Sequence, residues 1–162
     1  MGEMIELTAS DGHRLAAYRA EPVSPPRGGV VVIQEIFGVN SHIKEVTDGF
    51  AADGYLVVAP AMFDRVERGV DLGYTAETVA RGRELRSKVA LDDAMRDVGA
   101  SVAAAEGAGP GKVGIVGYCW GGFVVWMAAA RVAGLAAAVS YYGGGVLENA
   151  GERPRCPVML HF

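Results

Sequence analysis

The sequence predicts an α/β domain with a mainly parallel sheet and helices on both faces, on two observations. Short β-branched apolar runs recur at residues 29–34, 55–59, 112–116 and 135–140, as strands covered on both faces require. Between them lie segments with helical spacing and helix punctuation, and that alternation implies right-handed crossovers. At 162 residues and 51% hydrophobic content, the chain suits one domain, 1–162, with an ample core.

Each element has its own signal. The amino end reads as a hairpin, with strands at 5–9 and 14–20 about a turn at Ser10-Asp11-Gly12. Residues 29–34 (GVVVIQ) are the first buried strand. Asn40 or Ser41 can cap a helix whose Ile43, Val46 and Phe50 share one face, and Gly54 ends it. The run 55–59 (YLVVA) is the next strand, stopped by Pro60. A mostly polar helix is predicted over 75–88. Leu91, Ala94, Met95, Val98, Val102 and Ala105 draw a 3.6-residue stripe on another. A strand at 112–116, a helix at 120–131, a strand at 135–140 and the start of one more at 157–162 complete the series. Segments 22–29, 107–111 and 143–157, rich in Gly, Pro or charge, are the expected flexible points.

Composition excludes several roles. With 15 Lys+Arg against 19 Asp+Glu and a net charge of -4, no nucleic-acid-binding surface is expected. The run 113–130 has no charge, but Gly114, Gly117, Gly121 and Gly122 interrupt it, so strand, turn and helix are expected there and no membrane span. Two cysteines give no disulfide framework, and the first residues lack the basic start and apolar core of a secretory signal. Both features predict a cytoplasmic location. No metal-ligand cluster, phosphate loop or dinucleotide fingerprint occurs, so no metal or cofactor is predicted.

The most informative stretch is Val113-Gly-Ile-Val-Gly-Tyr-Cys-Trp-Gly-Gly122. A buried strand runs into Gly117-Tyr-Cys-Trp-Gly121 and a helix begins at once. This is the G-x-nucleophile-x-G pattern of a nucleophile elbow, with sulfur at the apex. A sharp strand-to-helix turn strains its apex residue, and Gly117 and Gly121 remove side chains that would collide. Cys119 would then stand over a helix amino end, where free N–H groups favour thiolate and can receive an oxyanion. A buried structural cysteine in a glycine-rich turn is the competing reading, and the flanking strand and helix favour the nucleophile. Cys156, between Arg155 and Pro157, has no such frame. Glu35, directly after a buried strand, either faces a cleft or escapes to solvent.

Gln34-Glu-Ile-Phe-Gly-Val-Asn40, Gly117-Tyr-Cys-Trp-Gly-Gly122 and Ser140-Tyr-Tyr-Gly143, in this order and spacing, resemble the dienelactone hydrolase (carboxymethylenebutenolidase) family of α/β-hydrolases. The resemblance covers essentially the whole chain and implies the α/β-hydrolase fold. It implies a small lactone or carboxylic ester as substrate, Cys119 as nucleophile and an acyl-enzyme intermediate. It also implies an oxyanion hole from the backbone N–H groups of Ile36 and Trp120, and a Glu35 that takes the thiol proton once a substrate carboxylate displaces it. The family binds anionic substrates through arginine. Arg81 lies in a comparable stretch, Arg83 competes for the role, and a solvated helix face explains either. Tyr142, with Tyr141, would line the cleft or form a packing pair.

A hydrolase of this type also needs a histidine base and an aspartate late in the chain. The only histidines are His13, His42 and His161, each expected to be structural or solvated. A strand ending at Phe162 without a turn predicts a chain incomplete at its carboxyl end, lacking the fold's C-terminal strand or strands and helix and leaving an unpaired edge. If 162 residues are the whole, the alternative is a non-catalytic binding or assembly domain of the same fold. A redox role is disfavoured, because there is no C-x-x-C.

Overall fold

The computed structural model describes residues 2–106 and 112–162; the predicted flexible point at 107–111 lies outside them. The described elements are β1 (Glu3–Thr8), β2 (Arg14–Ala20), β3 (Gly29–Ile33), α1 (Ser41–Ala52), β4 (Leu56–Pro60), α2 (Ala76–Lys88), α3 (Leu91–Glu106), β5 (Val113–Tyr118), α4 (Trp120–Arg131), β6 (Leu135–Tyr141) and β7 (Val158–His161). A short 3-10 turn at Leu147–Asn149 precedes β7. Pro60, expected to stop its strand, is the strand's last residue, where a missing N–H costs least.

One seven-stranded sheet runs in the order β1-β2-β4-β3-β5-β6-β7. The amino-terminal hairpin joins antiparallel; β4, β3, β5, β6 and β7 are parallel. Strands β3 and β4 are buried at every residue, as their unbroken apolar runs demand. From β3 the chain steps one way to β4 and then crosses back over β3 to β5. Right-handed crossovers therefore put α1 on one face and α3 and α4 on the other. The order reverses at β3 and β5, and the crevice beyond their carboxyl ends is where such sheets bind ligands.

Helix α1 is capped by Asn40, whose Oδ1 accepts the Ile43 N–H at 3.2 Å, and Gly54 follows it at φ 96°. Of the stripe on α3, Ala94, Val98, Val102 and Ala105 are buried and Leu91 and Met95 half-buried, and Asp97 and Ser101 share the buried face. Arg65 explains Asp97: its guanidinium donates to Oδ2 at 2.9 Å and Oδ1 at 2.8 Å, and also holds Asp11 of the β1–β2 turn. Burial raises the Asp97 carboxyl above its ordinary range, and Arg65 opposes that shift without cancelling it.

On the α1 side, a groove of about 530 Å³ lies over β3, β5 and β6, lined by Phe50, Tyr55, Val116, Tyr118, Val139 and Tyr141. Strand β7 is an edge in this chain, with Met159 and Phe162 exposed. Among the described residues, no helix is long and apolar enough to cross a membrane.

Candidate active site

Three parallel strands present three residues side by side. Ile33 of β3 pairs with Gly117 of β5, and Tyr118 of β5 pairs with Tyr141 of β6. One or two residues further on stand Glu35, Cys119 and Tyr142, level with one another at the carboxyl edge.

Cys119 is the apex of a sharp turn from β5 into α4. Its φ of 56° and ψ of -120° lie outside the regions an L-residue favours. Its N–H donates to the Tyr141 carbonyl at 3.0 Å, and its own carbonyl accepts the Gly122 N–H at 3.0 Å. A Cβ on Gly117 would overlap the Gly121 carbonyl oxygen, and one on Gly121 would overlap the ends of Ile33 and Gln34. Glycine is therefore needed at both positions because α4 must start hard against β3 and β5. Trp120 stacks on Phe63 at 5.3 Å, which fixes the first turn of α4 from below.

A cleft of about 430 Å³ opens over this turn. Ile36, Cys119 and Trp120 share it with Arg83 and Arg86 of α2 and with Gly144, Gly145 and Glu148. No backbone carbonyl among the described residues accepts from the N–H of Ile36 or Trp120 outside regular elements. Of the four loops that follow β3, β4, β5 and β6, three meet here: 35–40, 118–122 and 141–145. The fourth, 60–64, supports from behind: the buried Gln34 accepts the Met62 N–H at 3.0 Å and donates to the Glu35 carbonyl at 3.2 Å.

Glu35 is half-buried and held by two phenols. Tyr74 donates to its Oε2 at 2.9 Å and Tyr142 to its Oε1 at 3.4 Å. Tyr142 has a positive φ of 41°. Burial, the Glu35 carboxylate and the nearby Cys119 together push the Tyr142 phenol well above its ordinary value. Burial also raises the Tyr74 phenol; Asn40 opposes that shift and Glu35 adds to it.

Arg81 is placed away from the cleft lining, paired with Glu67 and with Glu84, the latter at 2.7 Å. The cleft receives Arg83 and Arg86 instead, and neither makes an ion pair among the described residues. Gly82 causes this arrangement: its missing Cβ lets α2 lie directly on the Ile36 carbonyl, so neighbouring side chains reach over the cleft. None of the three histidines lines it. His42 lies 6.2 Å from the Tyr118 ring, and His161 stacks on Tyr141 at 4.6 Å on the other face. Cys156 packs against the core, where burial raises its thiol pKa. Tyr74 and Glu148 carried no sequence signal, since both lie in stretches without periodicity.

A parallel sheet with flanking helices and a strand–cysteine–helix elbow at its reversal point defines an α/β-hydrolase-like fold. Residues 15–162 match the model of the dienelactone hydrolase family, and the chain belongs to that family. It is 40% identical over 137 residues to a protein of Synechocystis sp. provisionally named a carboxymethylenebutenolidase, covering 82% of this chain and 55% of that protein. It is 32% identical to the carboxymethylenebutenolidase of Pseudomonas putida, covering 99% of this chain and 70% of that protein. Among solved structures, a dienelactone hydrolase-like promiscuous phosphotriesterase from metagenomic libraries superposes with a TM-score of 0.71 at 26% identity, over 99% of this chain and 68% of that one. The chain spans about half the length of most of the curated relatives it matches.

Proposed function

We propose that this chain carries the acylating half of a cysteine hydrolase acting on small lactones or carboxylic esters. The observation that carries the reading is the strained, half-buried Cys119 at the amino end of α4 within a cleft. Its sulfur attacks the substrate carbonyl carbon and forms a C–S bond. The charge that develops on the carbonyl oxygen is received by the N–H groups of Ile36 and Trp120. Collapse breaks the C–O bond; the oxygen, departing as the alcohol of an ester or staying on the acyl chain of an opened lactone, takes up the proton released by the thiol, and water later hydrolyses the thioester.

Glu35 is the candidate acceptor of the thiol proton. Arg83 and Arg86 are the better-placed partners for an anionic group on the substrate, because Arg81 is already neutralised by two carboxylates. A reactive thiol with no disulfide partner fits a reducing cytoplasm.

Among the described residues, no imidazole lines the cleft to activate water in the second step. Acylation should therefore outrun deacylation. With p-nitrophenyl acetate, the chain is expected to release a burst of p-nitrophenolate approaching one equivalent, followed by slow turnover. Cys119→Ala should abolish the burst; a burst that survives this substitution overturns the assignment.

A further inference from the structure

Glu35 stands level with Cys119 at the carboxyl edge of the sheet with no cation beside it: among the described residues no Lys or Arg pairs with it, and its side-chain donors are two phenols. The tighter of these belongs to Tyr74, which is 56% exposed. Such a hydroxyl has solvent available, yet both sides of this one are committed. It accepts from Asn40 Nδ2 at 3.3 Å and donates to Glu35 Oε2 at 2.9 Å. Its ring is tilted against Phe37 at a centroid distance of 4.5 Å.

The segment that carries Tyr74 is stitched along the Glu35 loop. Leu72 donates its N–H to the Phe37 carbonyl at 2.9 Å, Asn40 Nδ2 donates to the Leu72 carbonyl at 3.2 Å, and Gly38 bridges Asp71. Asn40 simultaneously caps α1. One asparagine thus ties the tyrosine, the carboxylate loop and a helix start into a single unit.

We propose that Tyr74 is the positioning residue for Glu35. This rests on the reading of Glu35 as the group that takes the Cys119 proton. By occupying Oε2, Tyr74 leaves Oε1 on the Tyr142 side, where the longer Tyr142 contact is the only other side-chain donor among the described residues. The transferred proton leaves Sγ and bonds to Oε1, and no other bond changes. The titratable groups facing this carboxylate are Tyr74 ahead of α2 and Tyr142 after β6, with Cys119 and Tyr118 beyond Tyr142.

The test is alkylation of Cys119 by iodoacetamide, located by peptide mass, across about pH 5 to 9. It uses the wild-type chain, Tyr74→Phe, Glu35→Gln and the double variant. Tyr74→Phe keeps the ring on Phe37 and removes only the hydroxyl. Losing one hydrogen bond to the carboxylate should change the labelling rate roughly two- to tenfold and displace its pH profile. That change should vanish when made in the Glu35→Gln background, as coupled residues require. A Tyr74→Phe profile that superimposes on wild type overturns the proposal, as does a change of equal size in both backgrounds. If the p-nitrophenolate burst survives in Cys119→Ala, the nucleophile reading itself has failed, and that result is distinct from loss of the Tyr74 effect.

Discussion

The backbone at Cys119 predicts a reversal of the ordinary ranking in which alanine is more stabilising than glycine. With φ 56° and ψ -120°, a residue bearing a Cβ stores about 1–3 kcal/mol of strain. Alanine keeps that strain and loses only the sulfur. Glycine relieves it, at a cost of about 0.5–1 kcal/mol in extra unfolded-state entropy. Cys119→Gly should therefore be more stable than Cys119→Ala by about 0.5–2 kcal/mol, while both lack the proposed nucleophile. For a domain of this length, each kcal/mol moves the melting midpoint by roughly 2–4 °C. Urea unfolding of the two variants, at a common slope, reads the difference directly. If alanine proves as stable as glycine or more so, the strain is no larger than glycine's entropy cost of about 0.5–1 kcal/mol, and the functional argument built on the turn's geometry fails.

Gly121→Ala should destabilise the fold by about 2–4 kcal/mol, since its Cβ meets backbone oxygens of β3 that cannot retreat; urea unfolding measures the loss. Arg65→Met leaves Asp97 buried without its cation and should cost about 3–5 kcal/mol near neutral pH. The folded Asp97 carboxyl is already raised and would rise further, so the folded state binds its proton more readily than the unfolded chain. The deficit should therefore shrink as pH falls from about 7 to 5, and a widening deficit would contradict this account. Glu35→Gln should bring the raised phenol titrations of Tyr74 and Tyr142 back toward the ordinary tyrosine range, read by absorbance at alkaline pH; an unchanged titration means that neither phenol feels the carboxylate.

The strands were legible because their burial needs an unbroken apolar run, and β3, β4 and β5 supply one. The elbow was legible because glycine at 117 and 121 has a steric reason that can be written down before any coordinates. Helix α2 was a different case. Only Gly82 and Leu85 of it are buried, so no stripe says which side faces the sheet, and the sequence cannot choose among Arg81, Arg83 and Arg86. The contact that decides is the approach of Gly82 to Ile36, far apart in the chain. The Tyr74–Glu35 bond is hidden for the same reason: 39 positions separate the two residues, and nothing periodic links them. Asp97, a charge on an otherwise apolar stripe, makes sense only once Arg65 is placed opposite it.

Mass analysis of the chain after brief exposure to an activated ester bears most directly on whether Cys119 is the nucleophile. The account predicts an adduct of one acyl group, mapped to the peptide containing Cys119, absent in Cys119→Ala and released by hydroxylamine at neutral pH. An acyl group found on Cys156, on a lysine, or undiminished in Cys119→Ala would contradict it.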